Sequence, residues 1–467
     1  MRNLKYIAIV LVLPVLHSCL AVKDYQRPEN EVVSEQAFRT DHIAQDSLSS
    51  ANLSWKEIFR DDKLTGYIQQ ALDNNLDIRT ALKNIDAAEA YLKQGKAAYF
   101  PMINGNASYT YANPSLNGPQ GIGLDKRTDL NQYELSAGLS WEADIWGKIR
   151  SNERAAAASY MQTISAHQAV KSELVAAVAS SYYQLIALDE QKKIIQETIQ
   201  NLEESLETMR LLKDAGNVTE VAVQQTEAQL LSGKSLLVDT DNQIKLTENS
   251  FCILLGEFPH QIERNSLAQQ QLNGDLNTGV PVELLSNRPD VMAAEYGLIN
   301  AFELTNAARG NFYPSLRLSA GGGLQSLEFD KLFNANSLFA SLVGSLTQPI
   351  LNARQVRTQY EVSLARQEQS LLTYKKTILN ASREVSDALY TFDSNSQKAT
   401  LKQSEYEAYN NAYNYSEELL KYGMATYLDV LTAKGNALNA QLGLVNSEFG
   451  KLNAVVQLYR AIGGGWR

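Results

Sequence analysis

The stretch LLKYGMATYLDVL, Leu419–Leu431, interrupts a long helical pattern at Gly423 and resumes it at Thr426. An earlier stretch, LLKDAGNVTEV at Leu211–Val221, makes the same break at Gly216 and resumes at Thr219. Other segments recur in step. AAYFP (Ala97–Pro101) answers GNFYP (Gly310–Pro314), and CILLG ending at Gly256 answers YRAIG ending at Gly463. Thr219 and Thr426 lie 207 residues apart, as do Gly256 and Gly463, while Ala97 and Gly310 lie 213 apart. A nearly constant internal offset marks a repeat architecture. Each half has one plan: helix, proline, two strand-like runs, a very long helix, a glycine break and a shorter helix.

The strand-like runs alternate. In QYELSAGLSWEAD (Gln132–Asp144), Tyr133, Leu135, Ala137, Leu139, Trp141 and Ala143 share one face. In INGNASYTY (Ile103–Tyr111), Asn104, Asn106, Ser108 and Thr110 oppose Ile103, Ala107, Tyr109 and Tyr111. Runs of about ten residues alternating apolar and polar are the mark of membrane β-barrel strands. The second half offers SLRLSAGGG (Ser315–Gly323) and LFASLVGSLTQPI (Leu338–Ile350), where Phe339 and Val343 fall on the nominally polar face. Strands are expected at about 102–112, 131–143, 315–323 and 337–348. Two hairpins on a soluble core are the alternative. Four strands cannot close a barrel of useful bore, so strands that enter a membrane must share a barrel with other chains.

After each hairpin the period becomes helical. Leu185, Leu188, Ile195, Ile199, Leu202, Leu206 and Met209 form a heptad seam, as do Tyr374, Ile378, Ala381, Val385, Ala388 and Phe392. Arg150–Lys213 spans 64 residues without proline, about 95 Å at ~1.5 Å per residue. The helices at about Leu64–Ala98 and Thr219–Leu255 together have about that length. In the second half, Arg288–Arg309 and Thr426–Ile462 stand in the same relation to Gln355–Tyr422. Two short helices end to end therefore match one long one in each half.

Composition narrows the function. The 467 residues carry a net charge of −10, which argues against a nucleic-acid binder. Four histidines and two cysteines, Cys19 and Cys252, leave little room for a metal site and no disulfide framework. No metal or cofactor is expected. The first residues form an export signal: basic Arg2 and Lys5, then the apolar Tyr6–Val15. LHSC (Leu16–Cys19) resembles the lipobox of bacterial lipoproteins, in which the chain is cut before the cysteine and that residue is acylated. His17 departs from the small residue usual at its position, and a signal with an unused cysteine is the alternative. Cys252, in an apolar helical stretch, reads as a buried core thiol.

Several motifs resemble the TolC-like outer membrane factors, in the lipoprotein branch that serves resistance-nodulation-division efflux systems. DYQRPE (Asp24–Glu29) is similar to that branch's N-terminal signature. Ser286–Gly321 resembles the family's run of Arg-Pro-Asp, Ala-Ala-Glu, an alanine-rich helix, Phe-Tyr-Pro or a close variant, and a strand. SWKEIFRDDKLTGYIQQALDNNLDIRTA (Ser54–Ala81) resembles its N-terminal block. The resemblance covers essentially the whole mature chain. It implies an α+β membrane protein: a homotrimer whose chains give four strands each to a 12-stranded outer-membrane β-barrel, continued by a long periplasmic α-helical barrel. The expected organisation is a signal peptide at 1–18, a linker and equatorial segment at 19–63, and a first repeat at 64–256 with its tip turn at 214–219. An equatorial connector follows at 257–286, then a second repeat at 287–463 with its tip turn at 422–426, and a tail at 464–467.

The implied function is the passive exit duct of a tripartite efflux pump, lipid-anchored in the cell outer membrane. Its implied partners are a periplasmic membrane-fusion adaptor, an inner-membrane resistance-nodulation-division pump and outer membrane lipid. The outer membrane component of a type I protein secretion system is the alternative. A lipid-anchored coiled-coil scaffold without a pore is a rival that the alternating strands oppose. An enzyme is not expected: there is no Ser/His/Asp set, and Gly321–Gly323 is placed at a strand end, leading into no helix.

Each glycine break suits a left-handed C-cap, and Thr219 and Thr426 are placed as N-caps. Each copy is thus a tight helical hairpin. The resemblance puts both at the periplasmic tip and makes Gly216, Asn217, Val218, Thr219, Gly423, Met424, Ala425 and Thr426 adaptor-contact residues. Asp429 has two readings. It completes a capping box with Thr426, or it faces the lumen as one of three carboxylates at a cation-selective gate. A second acidic residue common in the family is replaced here by Thr432, and the first repeat has Ala222 where the second has Asp429. That asymmetry suits one fixed and one moving hairpin, with Tyr422 expected to tie the moving hairpin to its neighbour through its hydroxyl. Arg288, Pro289 and Asp290 are expected to be structural: Pro289 opens a helix and Asp290 suits its positive end.

Overall fold

The computed structural model describes residues 22–28, 53–119, 125–270 and 284–467. The signal segment, Cys19 and parts of both equatorial segments lie outside the described residues. The elements run α1 (Trp55–Ile58), α2 (Asp62–Asn74), α3 (Leu76–Ala97), β1 (Met102–Ala112), β2 (Leu130–Ala143), α4 (Lys148–Asp214), α5 (Glu220–Leu255) and α6 (Leu284–Asn287). They continue as α7 (Pro289–Gly310), β3 (Ser315–Ser326), β4 (Leu338–Thr347), α8 (Gln355–Lys421) and α9 (Tyr427–Ala461). The repeated plan is therefore present in both halves.

Two compact units divide these elements. The first takes in Ile85–Gln162 and Glu295–Thr373 with the described residues up to Arg27. It contains one antiparallel sheet of order β1-β2-β3-β4. Register fixes its faces. Ile103 pairs with Leu139, Leu139 with Ala320 and Ala320 with Leu342, giving an apolar row. Asn104, Gly138, Gly321 and Ser341 form the adjacent polar row. Phe339 pairs with Gly323 and Val343 with Ser319, so both lie on the polar face. β3 continues to Ser326, and Gly321–Gly323 therefore sit inside a strand, not at its end. A Cβ on Gly323 would fall 2.2 Å from Leu135 O, so the close approach of β2 demands glycine there.

The second unit takes in Thr163–Ala294, Tyr374–Arg467 and the described residues between Pro28 and Asn84. Its core gathers Ile58, Phe59, Leu64, Ile68, Tyr182, Phe251, Cys252, Leu255, Val456 and Tyr459. Cys252 is fully buried, as expected of a core thiol. Asp61 caps α2 through the N–H groups of Lys63 and Leu64 and also accepts from Tyr182 of α4 at 3.0 Å.

Two joints explain how short helices follow one another in each half. The helix expected over Leu64–Ala98 is broken at Asn75, whose extended backbone ends α2. Asn75 Oδ1 accepts from the N–H of Asp77 and Ile78, while its Nδ2 donates to Leu254 O at 3.0 Å. One side chain thus caps the start of α3 and satisfies a carbonyl at the end of α5. The second half uses Arg288 for the same purpose. Its Nη1 donates to Ala461 O at 2.9 Å, at the end of α9, and its guanidinium holds Asp290 in a two-pronged bond at 3.0 and 2.7 Å. Glu384 of α8 completes the cluster at 2.8 Å. Burial alone would lower the guanidinium's pKa, but Asp290 and Glu384 outweigh it and hold the charge.

Candidate functional site

The two hairpin tips belong to the second unit and are built alike. After α4, Asn217 N–H donates to Leu212 O at 2.9 Å and Gly216 N–H to Lys213 O at 2.8 Å. After α8, Met424 N–H donates to Leu419 O and Gly423 N–H to Leu420 O, both at 3.0 Å. Both are Schellman closures, with glycine left-handed at φ 77° and φ 70°. The same sequence signal, Leu-Leu-Lys followed by glycine, therefore ends each long helix in the same way.

The returning helices differ. Thr426 caps α9 in a full capping box. Asp429 Oδ2 accepts from Thr426 N–H at 2.8 Å and Thr426 Oγ1 at 2.7 Å, and Asp429 N–H donates to Thr426 Oγ1 at 3.4 Å. The Thr426 hydroxyl, then its N–H, hold the Asp429 carboxyl below its ordinary pKa. Thr219 occupies the matching N-cap with extended backbone but makes no side-chain cap bond, a departure from the expected cap. The first turn is closed instead by an ion pair, Lys213 to Glu220 at 2.7 Å. Ala222 stands at the position of Asp429, so it cannot reach back to a threonine. Asn217 and Thr219 are exposed and Val218 half-buried; Met424 and Thr426 are exposed and Ala425 half-buried.

Tyr422 is 73% exposed, and among the described residues its hydroxyl has no hydrogen-bond partner in the chain. Within one chain, Tyr427 contacts the first hairpin. Burial raises the Tyr427 phenol's pKa, while hydrogen bonds to Thr226 of α5 and Ser205 of α4 oppose that rise. One turn on, Leu431 is packed among Ile199, Leu202, Leu206, Val223 and Leu230. Sequence reasoning missed Tyr427, although its four-residue spacing to Leu431 places both on one helical face. Thr432, one place further, is exposed and donates to Leu428 O at 2.7 Å.

Cys19 lies outside the described residues, but the chain three residues beyond it does not. Lys23–Arg27 runs along α7: Lys23 N–H donates to Asn306 Oδ1, Arg27 holds Glu295 in two bonds at 2.6 and 2.7 Å, and Tyr25 meets Phe302 edge-on at 5.6 Å. Near the base of the sheet Trp146 stacks on Tyr313 at 4.8 Å and donates to Pro314 O at 2.7 Å. No helix of the described residues is long and apolar enough to cross a membrane, and no group of three metal-ligating side chains occurs among them.

Residues 67–257 and 280–464 match the family model described as outer membrane efflux protein. The solvent efflux pump outer membrane protein SrpC of Pseudomonas putida is 29% identical over 463 residues, covering 98% of this chain and 97% of that protein. The probable outer membrane lipoprotein SilC of Salmonella typhimurium is 28% identical and matched over the whole length of both. Among solved structures, the outer-membrane channel OprN superposes with a TM-score of 0.87 at 23% identity, covering 95% of this chain and 99% of that one.

Proposed function

The chain belongs to the outer membrane efflux protein family, and from that premise we infer that it is the passive exit duct of a tripartite efflux pump. Three copies each give a four-stranded sheet to one 12-stranded barrel in the outer membrane, and the long helices form its periplasmic conduit. An inner-membrane pump supplies the energy and a periplasmic adaptor joins the two at the hairpin tips. The sheet carries this inference. Within one chain β1 and β4 have no outer neighbours among the described strands, and one face is apolar yet exposed. An open apolar sheet with two bare edges is an aggregation hazard in water and a barrel segment in a membrane. Relatives matched over their full length are named for efflux, which favours this reading over protein secretion. The lipobox at Cys19 and the lipoprotein SilC support an acyl anchor.

At the tip, we propose that three Asp429 carboxylates line the constriction, with their cap bonds fixing their orientation. Gly216–Thr219 and Gly423–Thr426 meet the adaptor. Planar-bilayer recordings test the gate: Asp429→Ala is expected to reduce cation preference several-fold, because a carboxylate ring favours cations. Unchanged conductance and selectivity would leave Asp429 with its capping role alone.

A further inference from the structure

The first unit carries an apolar knob and an apolar cleft at opposite edges of its sheet. Just past β4, Ile350 and Leu351 are 89% and 96% exposed, and Leu351 is the most exposed large apolar side chain among the described residues. The turn that follows is strained, with Ala353 at φ 52° and Arg354 at φ 66°. Two successive non-glycine residues in the left-handed region are unfavourable and persist where surroundings hold them. Here the Gln355 N–H bonds Asn352 O, and the Arg354 guanidinium grips Glu361 at 3.0 Å. Beside the start of β1 lies a cleft of about 520 Å³, with Ala97, Ala98, Phe100, Met102, Trp141 and Ile149 on its apolar wall and the charged Glu142, Lys148 and Arg317 on the side towards β2 and β3. Phe100 and Met102 are 73% and 69% exposed.

Register brings both features to one end of the sheet. Met102 pairs with Ser140, Ala143 with Leu316 and Ser315 with Thr347. The start of β1 and the finish of β4 therefore share a rim. An even strand count also leaves β1 and β4 running in opposite directions, so β4 of one copy can continue the antiparallel pattern onto β1 of the next. Such pairing carries the residues after β4 towards those before β1. A knob on one edge and a cleft on the other make a heterologous contact, which closes into a ring when the rotation permits.

We propose that Ile350 and Leu351 of one copy seat in the Phe100–Met102 cleft of the next, locking the ring at the base of the sheet. This rests on the closed barrel proposed above, and it adds the residues that join one copy to another. The strained turn presents the pair, and the seam between copies buries it.

The test uses the full-length protein in native membranes. Leu351→Cys is combined with Ala98→Cys and, separately, with Phe100→Cys, and a short bismaleimide is added; Cys252 is buried and does not compete. Dimer and trimer adducts are expected in both double variants and in neither single variant. Leu351→Asp is expected to lower by several degrees the temperature at which the detergent-resistant oligomer dissociates. Light scattering on the same samples separates two failures. A trimer without adducts overturns the knob-and-cleft contact and leaves the barrel standing. A monomer overturns both. Absent adducts together with a Leu351→Asp chain that trimerises but no longer inserts would assign the pair to lipid, also against the proposal.

Discussion

Arg288 holds three helices with one side chain: its own α7 through Asp290, α9 through Ala461 O, and α8 through Glu384. It is 5% exposed, so Arg288→Met leaves the buried Ala461 O without its donor, while Asp290 still reaches water and Glu384 keeps Arg460 at 3.6 Å. The expected loss is about 1–3 kcal/mol, read as a fall in thermal midpoint, and Arg288→Lys should recover only part of it because ammonium lacks the planar fork. Asp61 makes a pH prediction. Burial pushes its carboxyl up, but bonds from Gln270, Leu64 N–H, Tyr182 and Asn265 outweigh this and hold it below its ordinary 3.8. Its stabilisation is complete above the unfolded-chain value and disappears as pH falls through the lower folded value. Acid unfolding of Asp61→Asn should therefore lose part of its pH dependence below about pH 4. At this scale the sequence was least informative. Thr219 and Thr426 look alike, yet only Thr426 has a carboxylate three residues on to complete its box, and the packing of Tyr427 against the first hairpin is signalled only by its spacing to Leu431.

The hairpins and joints depend on glycines that do different work. A Cβ on Gly216 or Gly423 meets nothing within 4 Å, so only the left-handed backbone matters. Alanine at either should cost about 1–2 kcal/mol. Gly463 combines φ 96° with Asn287 O at 2.4 Å from a built Cβ, so Gly463→Ala adds a backbone clash to the strain. Its thermal midpoint should fall well below those of the two tip variants. Elements were legible because their signals are periodic: the 67 residues of α4 and of α8 contain no helix-breaking proline, and β1 spans the expected residues. The break at Asn75 was not legible. An asparagine within a helical pattern becomes a joint only when a second helix end, here Leu254, arrives to take its amide.

The whole molecule combines an internally repeated plan with a sheet whose two edge strands are bare within one chain. The repeat was visible in paired motifs, and the need for several chains followed from four strands being too few for a barrel. How one copy meets the next was not visible, since Ile350–Leu351 and Phe100–Met102 acquire meaning only when register sets them on a common rim. The most direct test of the central claim is native mass spectrometry of the detergent-extracted, lipidated protein. Three mature chains per particle are the predicted result; particles of one or two chains would contradict the shared barrel and the duct built on it.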